Sequence, residues 1–148
     1  MTGNGCVFQV GEGMSTILSF DEGSVRDIAT LIGDTNPLHH DAAVAKASRF
    51  GHLIASGGHC AAMMLGGLAG WLTERDAAVG LDFAFWFRKA VPAGCRARLT
   101  WRIVAIQPKD SLKGHLLTLE GVLDDGEGDR FITASSTALA GPPPAVTR

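Results

Sequence analysis

The chain has 148 residues, one domain's worth, and 46% of them are hydrophobic against 19% charged, a balance that supplies a core and excludes a disordered chain except at its ends. Thirteen basic and fifteen acidic residues give a net charge of -2, without the basic excess that would neutralise a nucleic-acid backbone. Cys6, Cys60 and Cys95 are odd in number and far apart, which predicts neither a disulfide framework nor a zinc site, and with no basic-then-apolar leader the expected location is the cytoplasm.

In chain order, residues 14–20 read as a short strand. From Ser24, a plausible N-cap, Val25, Ile28, Ala29, Leu31 and Ile32 recur at helical spacing, and Gly33 stops the helix. Asp34-Thr35-Asn36-Pro37 is a turn by composition, because Asn before Pro is pushed out of the helical region and short polar side chains bond nearby amides. Residues 41–48 are Ala-rich and predict another short helix, and 49–58 a loop. Residues 57–72 form a helix apolar on every side, whose many glycines predict close approach of other backbone, as from a sheet curved around it. Its uncharged run, residues 60–72, is thirteen long, short of the roughly 20 that cross a bilayer.

Beyond Asp76 the period becomes two. Val79, Leu81, Phe83, Phe85 and Phe87 alternate with Gly80, Asp82, Ala84, Trp86 and Arg88, and after Pro92-Ala93-Gly94 Ala97, Leu99, Trp101, Ile103 and Ala105 alternate with Arg96, Arg98, Thr100 and Arg102. A turn over 107–114, a strand over 115–123, a hairpin loop over 124–129 and a strand over 131–139 follow, and the tail from 141, with three prolines, is expected to fray. The order predicts a single α+β domain over 1–148. Such a layer leaves a large apolar helix incompletely covered, so edge-to-edge pairing into a homodimer is expected.

Asp34 and His39 are the first candidates for chemistry. A carboxylate and an imidazole five residues apart across an Asn-Pro turn can face one space and grip one water; the other reading is that Asp34 and Asn36 shape a turn and His39 lies at the surface. The second candidate is Ser56-Gly57-Gly58, where a helix opening inside the protein presents unpaired N–H groups to a ligand oxygen, unless the glycines only permit close packing. His40 and His52 are expected in solvent. His59 is either a hydrogen-bonded core residue or part of a pocket. Arg88 and Lys89 could meet a phosphate or form a solvated rim, and Gly11-Glu12-Gly13 lacks the lysine and context of a nucleotide loop.

Gly33-Asp34-Thr35-Asn36-Pro37-Leu38-His39, with Arg49-Phe50-Gly51, Leu53-Ile54-Ala55-Ser56-Gly57 and the later run from Phe87 to Gly94, resembles the MaoC-like, (R)-specific enoyl-CoA hydratases over roughly residues 20–139. The resemblance implies a hotdog fold, an antiparallel sheet wrapped around a long helix, usually in dimers or higher homo-oligomers. It further implies that Asp34 and His39 activate water for addition to a trans-2-enoyl thioester, that Asn36 fixes the loop, and that the amide of Gly57 polarises the thioester carbonyl. Ser56 and His59 would then lie on the substrate side, with Met63, Met64 and Trp86 shaping the acyl pocket. No metal or redox cofactor is implied, and CoA or a carrier-protein arm would arrive with the substrate; neither nucleic acid nor a membrane is an expected partner. Many members have His-Gly where this chain has Ser56-Gly57, and a helix hydroxyl seen in some hydratases falls here near Leu65. The competing readings are a hotdog thioesterase, which would want a carboxylate on or beside a helix that has none over 56–72, and a non-catalytic acyl-thioester-binding subunit, which would not need the Asp34–His39 pair.

Overall fold

The computed structural model describes residues 5–141. Its elements run β1 (Gly13–Phe20), α1 (Glu22–Leu31), α2 (Ala42–Ala47), α3 (Gly57–Thr73), β2 (Ala78–Phe87), β3 (Cys95–Lys109), β4 (Gly114–Asp124) and β5 (Arg130–Ala140), with one-turn 3-10 helices at Pro37–His39 and Asp110–Leu112. The five strands make one antiparallel sheet in the order β1-β3-β4-β5-β2, and α3 packs on it: the α+β hotdog arrangement. No described helix is long and apolar enough to cross a membrane.

Trp101 anchors the helix to the sheet. Its side chain is fully buried, its indole N–H donates to the Met64 carbonyl of α3 at 3.0 Å, and its ring lies where a side chain on Gly121 of β4 would stand. Burying a ring of this size contributes roughly 4–6 kcal/mol of gross apolar burial. Around it Leu99, Ile103, Leu117, Leu119, Leu123 and Ile132 turn inward, as the alternation predicts.

Local details depart from the sequence reading where a backbone irregularity or a neighbour intervenes. Helix α1 is capped by Asp21, not Ser24; the Asp21 carboxylate accepts from the Ser24 N–H and hydroxyl, and these bonds hold its pKa below the ordinary carboxylate value. Strand β3 continues to Lys109, and a bulge between Ile103 and Ala105 reverses the alternation, so Ala105 faces out and Ile106 packs on the core. Strand β2 is one of the two sheet edges, with a bulge at Leu81; Phe85 is half-buried, but Val79, Leu81, Phe83 and Phe87 are exposed.

The small residues of α3 divide. A Cβ on Gly67 would meet Leu99 at 2.7 Å, whereas Gly66 and Gly70 face open space, so the sheet around the helix leaves one of its sides uncovered. All three cysteines are free thiols. The frayed tail was expected from Gly141: that residue is tied by its N–H to the Ala77 carbonyl, and 142–148 lie outside the described residues.

Candidate active site

Helix α1 ends in a Schellman motif: Gly33, at φ 78°, donates to Thr30, and Asp34 donates to Ala29 at 2.8 Å. Glycine supplies the left-handed conformation at no steric cost, and the chain leaves the helix with Asp34 in a fixed position. Asp34 Oδ1 then accepts from the Asn36 N–H, and Asn36 Oδ1 from the Leu38 N–H, capping the 3-10 turn that begins at Pro37 and carries His39. Asn36 is therefore spent on holding the turn. His40, expected in solvent, is half-buried and its Nε2 lies 2.6 Å from the Asp34 carbonyl, a further tie across the loop.

His39 is buried, with 5% of its surface exposed. Its Nδ1 lies 2.7 Å from the Ile54 carbonyl, which only accepts, so Nδ1 carries a proton. The neutral ring consequently presents its Nε2 lone pair, 3.3 Å from Asp34 Oδ2, while the Asp34 side chain remains 34% exposed. The carboxylate is thus wet and the imidazole is locked. Segment 53–55 holds this geometry from the other side, with Ile54 N–H donating to Leu38 and Ala55 N–H to the Val91 carbonyl.

That second bond brings the end of β2 and the loop after it to the dyad. His39, Gly57 and Cys60 share a cleft of about 670 Å3 with Arg49, Phe50, His52, Ile54, Ala55 and residues 87–91. Gly57 opens α3. The Ser56 hydroxyl accepts from the His59 N–H and the Ser56 carbonyl from the Cys60 N–H, and among the described residues the amides of Gly57 and Gly58 have no acceptor at the positive end of a 17-residue helix. The Phe87 ring covers Gly57, 3.3 Å from where a Cβ would be. Asp34 is not itself among the residues that line the cleft; it reaches it only through His39. An oriented imidazole and a free helix-end amide on one cleft, with a wet carboxylate paired to the imidazole, suit activation of water beside an oxygen that gains negative charge.

Not every expected residue joins them. Ser56 is fully buried and serves as the α3 cap. His59 is fully buried against the Phe20 ring, does not line the cleft, and neither ring nitrogen has a hydrogen-bond partner among the described residues. It is thus neither of the two things expected of it. Met64 is buried in the core and Trp86 is 49% exposed on the edge strand. Arg49, the Ile54 carbonyl and Phe87 are contributors that spacing did not single out. Cys60 does line the cleft, but burial pushes its thiol up to about 12, so it stays protonated and unreactive.

Burial also lowers the pKa of His59, and the charge of Asp21 opposes the effect only in part. A depressed histidine pKa means that the unfolded chain takes up a proton below about 6.5 that the folded chain refuses. Stability is therefore full above that pH and declines as pH falls toward the folded-state value. Replacing His59 by Leu removes both this penalty and an unsatisfied ring: urea melts should show a gain of about 1–3 kcal/mol at pH 7.5 and a larger one at pH 5. Destabilisation at both pH values is the contrary result.

The model of the MaoC-like domain matches residues 12–120, which includes the dyad turn, all of α3 and the loop after β2. The chain belongs to the MaoC-like dehydratase family. No curated protein matches it significantly in sequence. Among solved structures, this MaoC-like chain is similar to the (R)-hydratase of A. caviae involved in PHA biosynthesis (TM-score 0.79, 23% identity, 89% of this chain and 96% of that one). It is also similar to the R-hydratase PhaJ1 of Pseudomonas aeruginosa (0.80, 20%, 95% and 94%) and to the HadBC 3R-hydroxyacyl-ACP dehydratase complex of Mycobacterium tuberculosis (0.74, 16%, 89% and 96%). At these identities the likeness establishes a shared hotdog fold.

Proposed function

We propose that this MaoC-like protein is a hydro-lyase that adds water across the 2,3 double bond of an enoyl thioester, or runs the reverse dehydration, with the (R)-3-hydroxyacyl thioester as the hydrated partner. The observation that carries the reading is the pairing of Asp34 Oδ2 with His39 Nε2 at 3.3 Å, beside a cleft that His39 and the Gly57 amide share. Water held beside this pair donates a hydrogen to the Asp34 carboxylate, with His39 Nε2 as the neighbouring acceptor, and turns an oxygen lone pair toward C3 of the substrate. As the C3–O bond forms, a water proton passes to Asp34 and the π electrons move through C2 onto the thioester oxygen. The Gly57 N–H bonds the oxygen as its charge grows. Asp34 then gives up that proton to C2, which regenerates the carboxylate and completes the addition of one water with no other reactant. CoA or a carrier-protein arm belongs to the substrate in this reading.

The test is crotonyl-CoA followed by enoyl-thioester absorbance and free thiol together. Loss of absorbance without thiol supports hydration; thiol release identifies a thioesterase, and no change in either a binding subunit.

The same proposal takes the protein as a homodimer. Strand β2 leaves its outer edge unpaired and exposes Val79, Leu81, Phe83 and Trp86, and the residues leading on from it, 87–91, line the cleft. Pairing with the β2 of a second copy continues the sheet and covers these side chains. Light scattering should give twice the 15.5 kDa chain mass, and Leu81→Lys with Phe83→Lys should give the monomer.

A further inference from the structure

The buried imidazole that the chemistry leaves unused stands at the foot of the groups that perform it. His59 has no exposed surface, and among the described residues neither ring nitrogen has a hydrogen-bond partner. Its backbone is committed, since its N–H donates to Ser56 Oγ at 3.1 Å in the bond that caps α3. Its ring packs on Phe20, with centroids 5.1 Å apart, and so joins the head of α3 to the end of β1.

The site rests on this joint from several sides. Gly57, the donor amide, opens the helix two residues before His59. Ile54, five residues before it, supplies the carbonyl 2.7 Å from His39 Nδ1 that fixes the tautomer. Ile32, at the end of the helix that leads into Asp34, has its Cδ1 2.7 Å from where a Cβ on Gly58 would stand.

The ring belongs in this place only while it is neutral. An imidazolium there would be an unpaired charge away from water, which costs far more than the hydrogen bonds that the neutral ring forgoes. The groups around it give no relief. Asp21, at the junction of β1 and α1, attracts a proton to the ring, but its carboxylate already accepts from the Ser24 N–H and hydroxyl. His39, in the 3-10 turn, carries no negative charge in either state. Cys60, next in the chain, and Cys95, opposite Phe20 on β3, are thiols that burial keeps protonated. Taking up a proton therefore favours a state in which the ring has left its place and reached water.

We propose that His59 is an acid-sensitive latch on the active site: a proton from solvent on its ring opens the head of α3, withdraws the Gly57 amide and releases His39 from the Ile54 carbonyl, and loss of that proton closes the site again. The effect on turnover rests on the hydratase reading above; the opening does not. Because the closed state refuses a proton that the open state accepts near pH 6.5, opening is constant above that pH and rises up to about tenfold per unit below it.

Amide hydrogen exchange on the full chain at pH 7.5 and 5.5, corrected for the intrinsic rates, reads the opening without turnover. The Ile54, Ala55, His59 and Cys60 amides are all bonded in the closed state. In wild type their protection should fall about tenfold between the two pH values and lie well below that of β4, at the centre of the sheet. His59→Leu and His59→Asn, which differ in shape but do not titrate, should show no such fall. Protection in wild type that ignores pH or equals that of β4, or a fall of the same size in both variants, overturns the latch. With crotonyl-CoA, wild-type hydration should drop reversibly from pH 7.5 to 5.5, and by less in both variants. An identical acid limb in all three proteins assigns the limb to the dyad and refutes control by His59. Opening that depends on pH and on His59, in a protein that hydrates no crotonyl-CoA at either pH, keeps the latch and sinks the hydratase.

Discussion

Asp34→Asn lowers kcat for hydration of crotonyl-CoA by about 10²- to 10⁴-fold, the range attributed to a positioned general base, and leaves the thermal midpoint close to wild type. The fold is indifferent to the change because an asparagine Oδ1 still accepts from the Asn36 N–H, so the turn closes as before. The chemistry is not. The new NH2 group stands where Oδ2 stood, 3.3 Å from His39 Nε2, and donates to the lone pair that was to receive water. One substitution thus removes the base and occupies its partner, with no loss of burial, since the Asp34 side chain is one-third exposed. A variant that folds and keeps wild-type kcat would remove Asp34 from the mechanism, and with it the hydratase reading.

Gly57→Pro should cost about 10²–10³ in kcat, the loss that follows removal of one oxyanion donor. Proline is admissible at this position for reasons visible in the backbone. Gly57 is the first helical residue, where an N–H has no intrahelical partner to lose, and Ser56 already has the extended conformation, φ -67° and ψ 154°, that a residue before proline requires. The helix should start as before while the donor disappears. Gly57→Ala is the control, because it adds a Cβ at the same place but keeps the N–H. That Cβ falls 3.3 Å from the Phe87 ring, which is 54% exposed and has room to move, so the alanine variant should show only a small part of the loss. Equal damage by Ala and Pro would mean that the ring over Gly57, and not its amide, matters. Stopped-flow measurement of the enoyl absorbance separates kcat from KM in both variants.

The dyad was legible because its geometry is local. From Gly33 to His39 the bonds that shape the loop span two to five residues, and each is of a kind that Gly, Asp, Asn and Pro favour by their own chemistry. The strands were legible for the same reason, since a period of two is a property of one segment. Ser56 and His59 were misassigned because α3 is apolar all round: where no polar face exists, periodicity does not say which side a given residue turns to the core. The bulge near Val104 was equally hidden, because the extra residue is defined only against β4.

By itself, the amino-acid sequence determined the element types, the turn that carries Asp34 and His39, and the free amide at the head of the long helix, all consequences of short-range sterics and hydrogen bonding. Only the tertiary structure decided the tautomer of His39, through a carbonyl fifteen residues away, and the burial of His59. It also decided that Arg49 and Arg88 line one cleft, and that β2 is exposed as an edge. Those features depend on which surfaces pack together, and packing is a property of the whole chain that no single segment encodes.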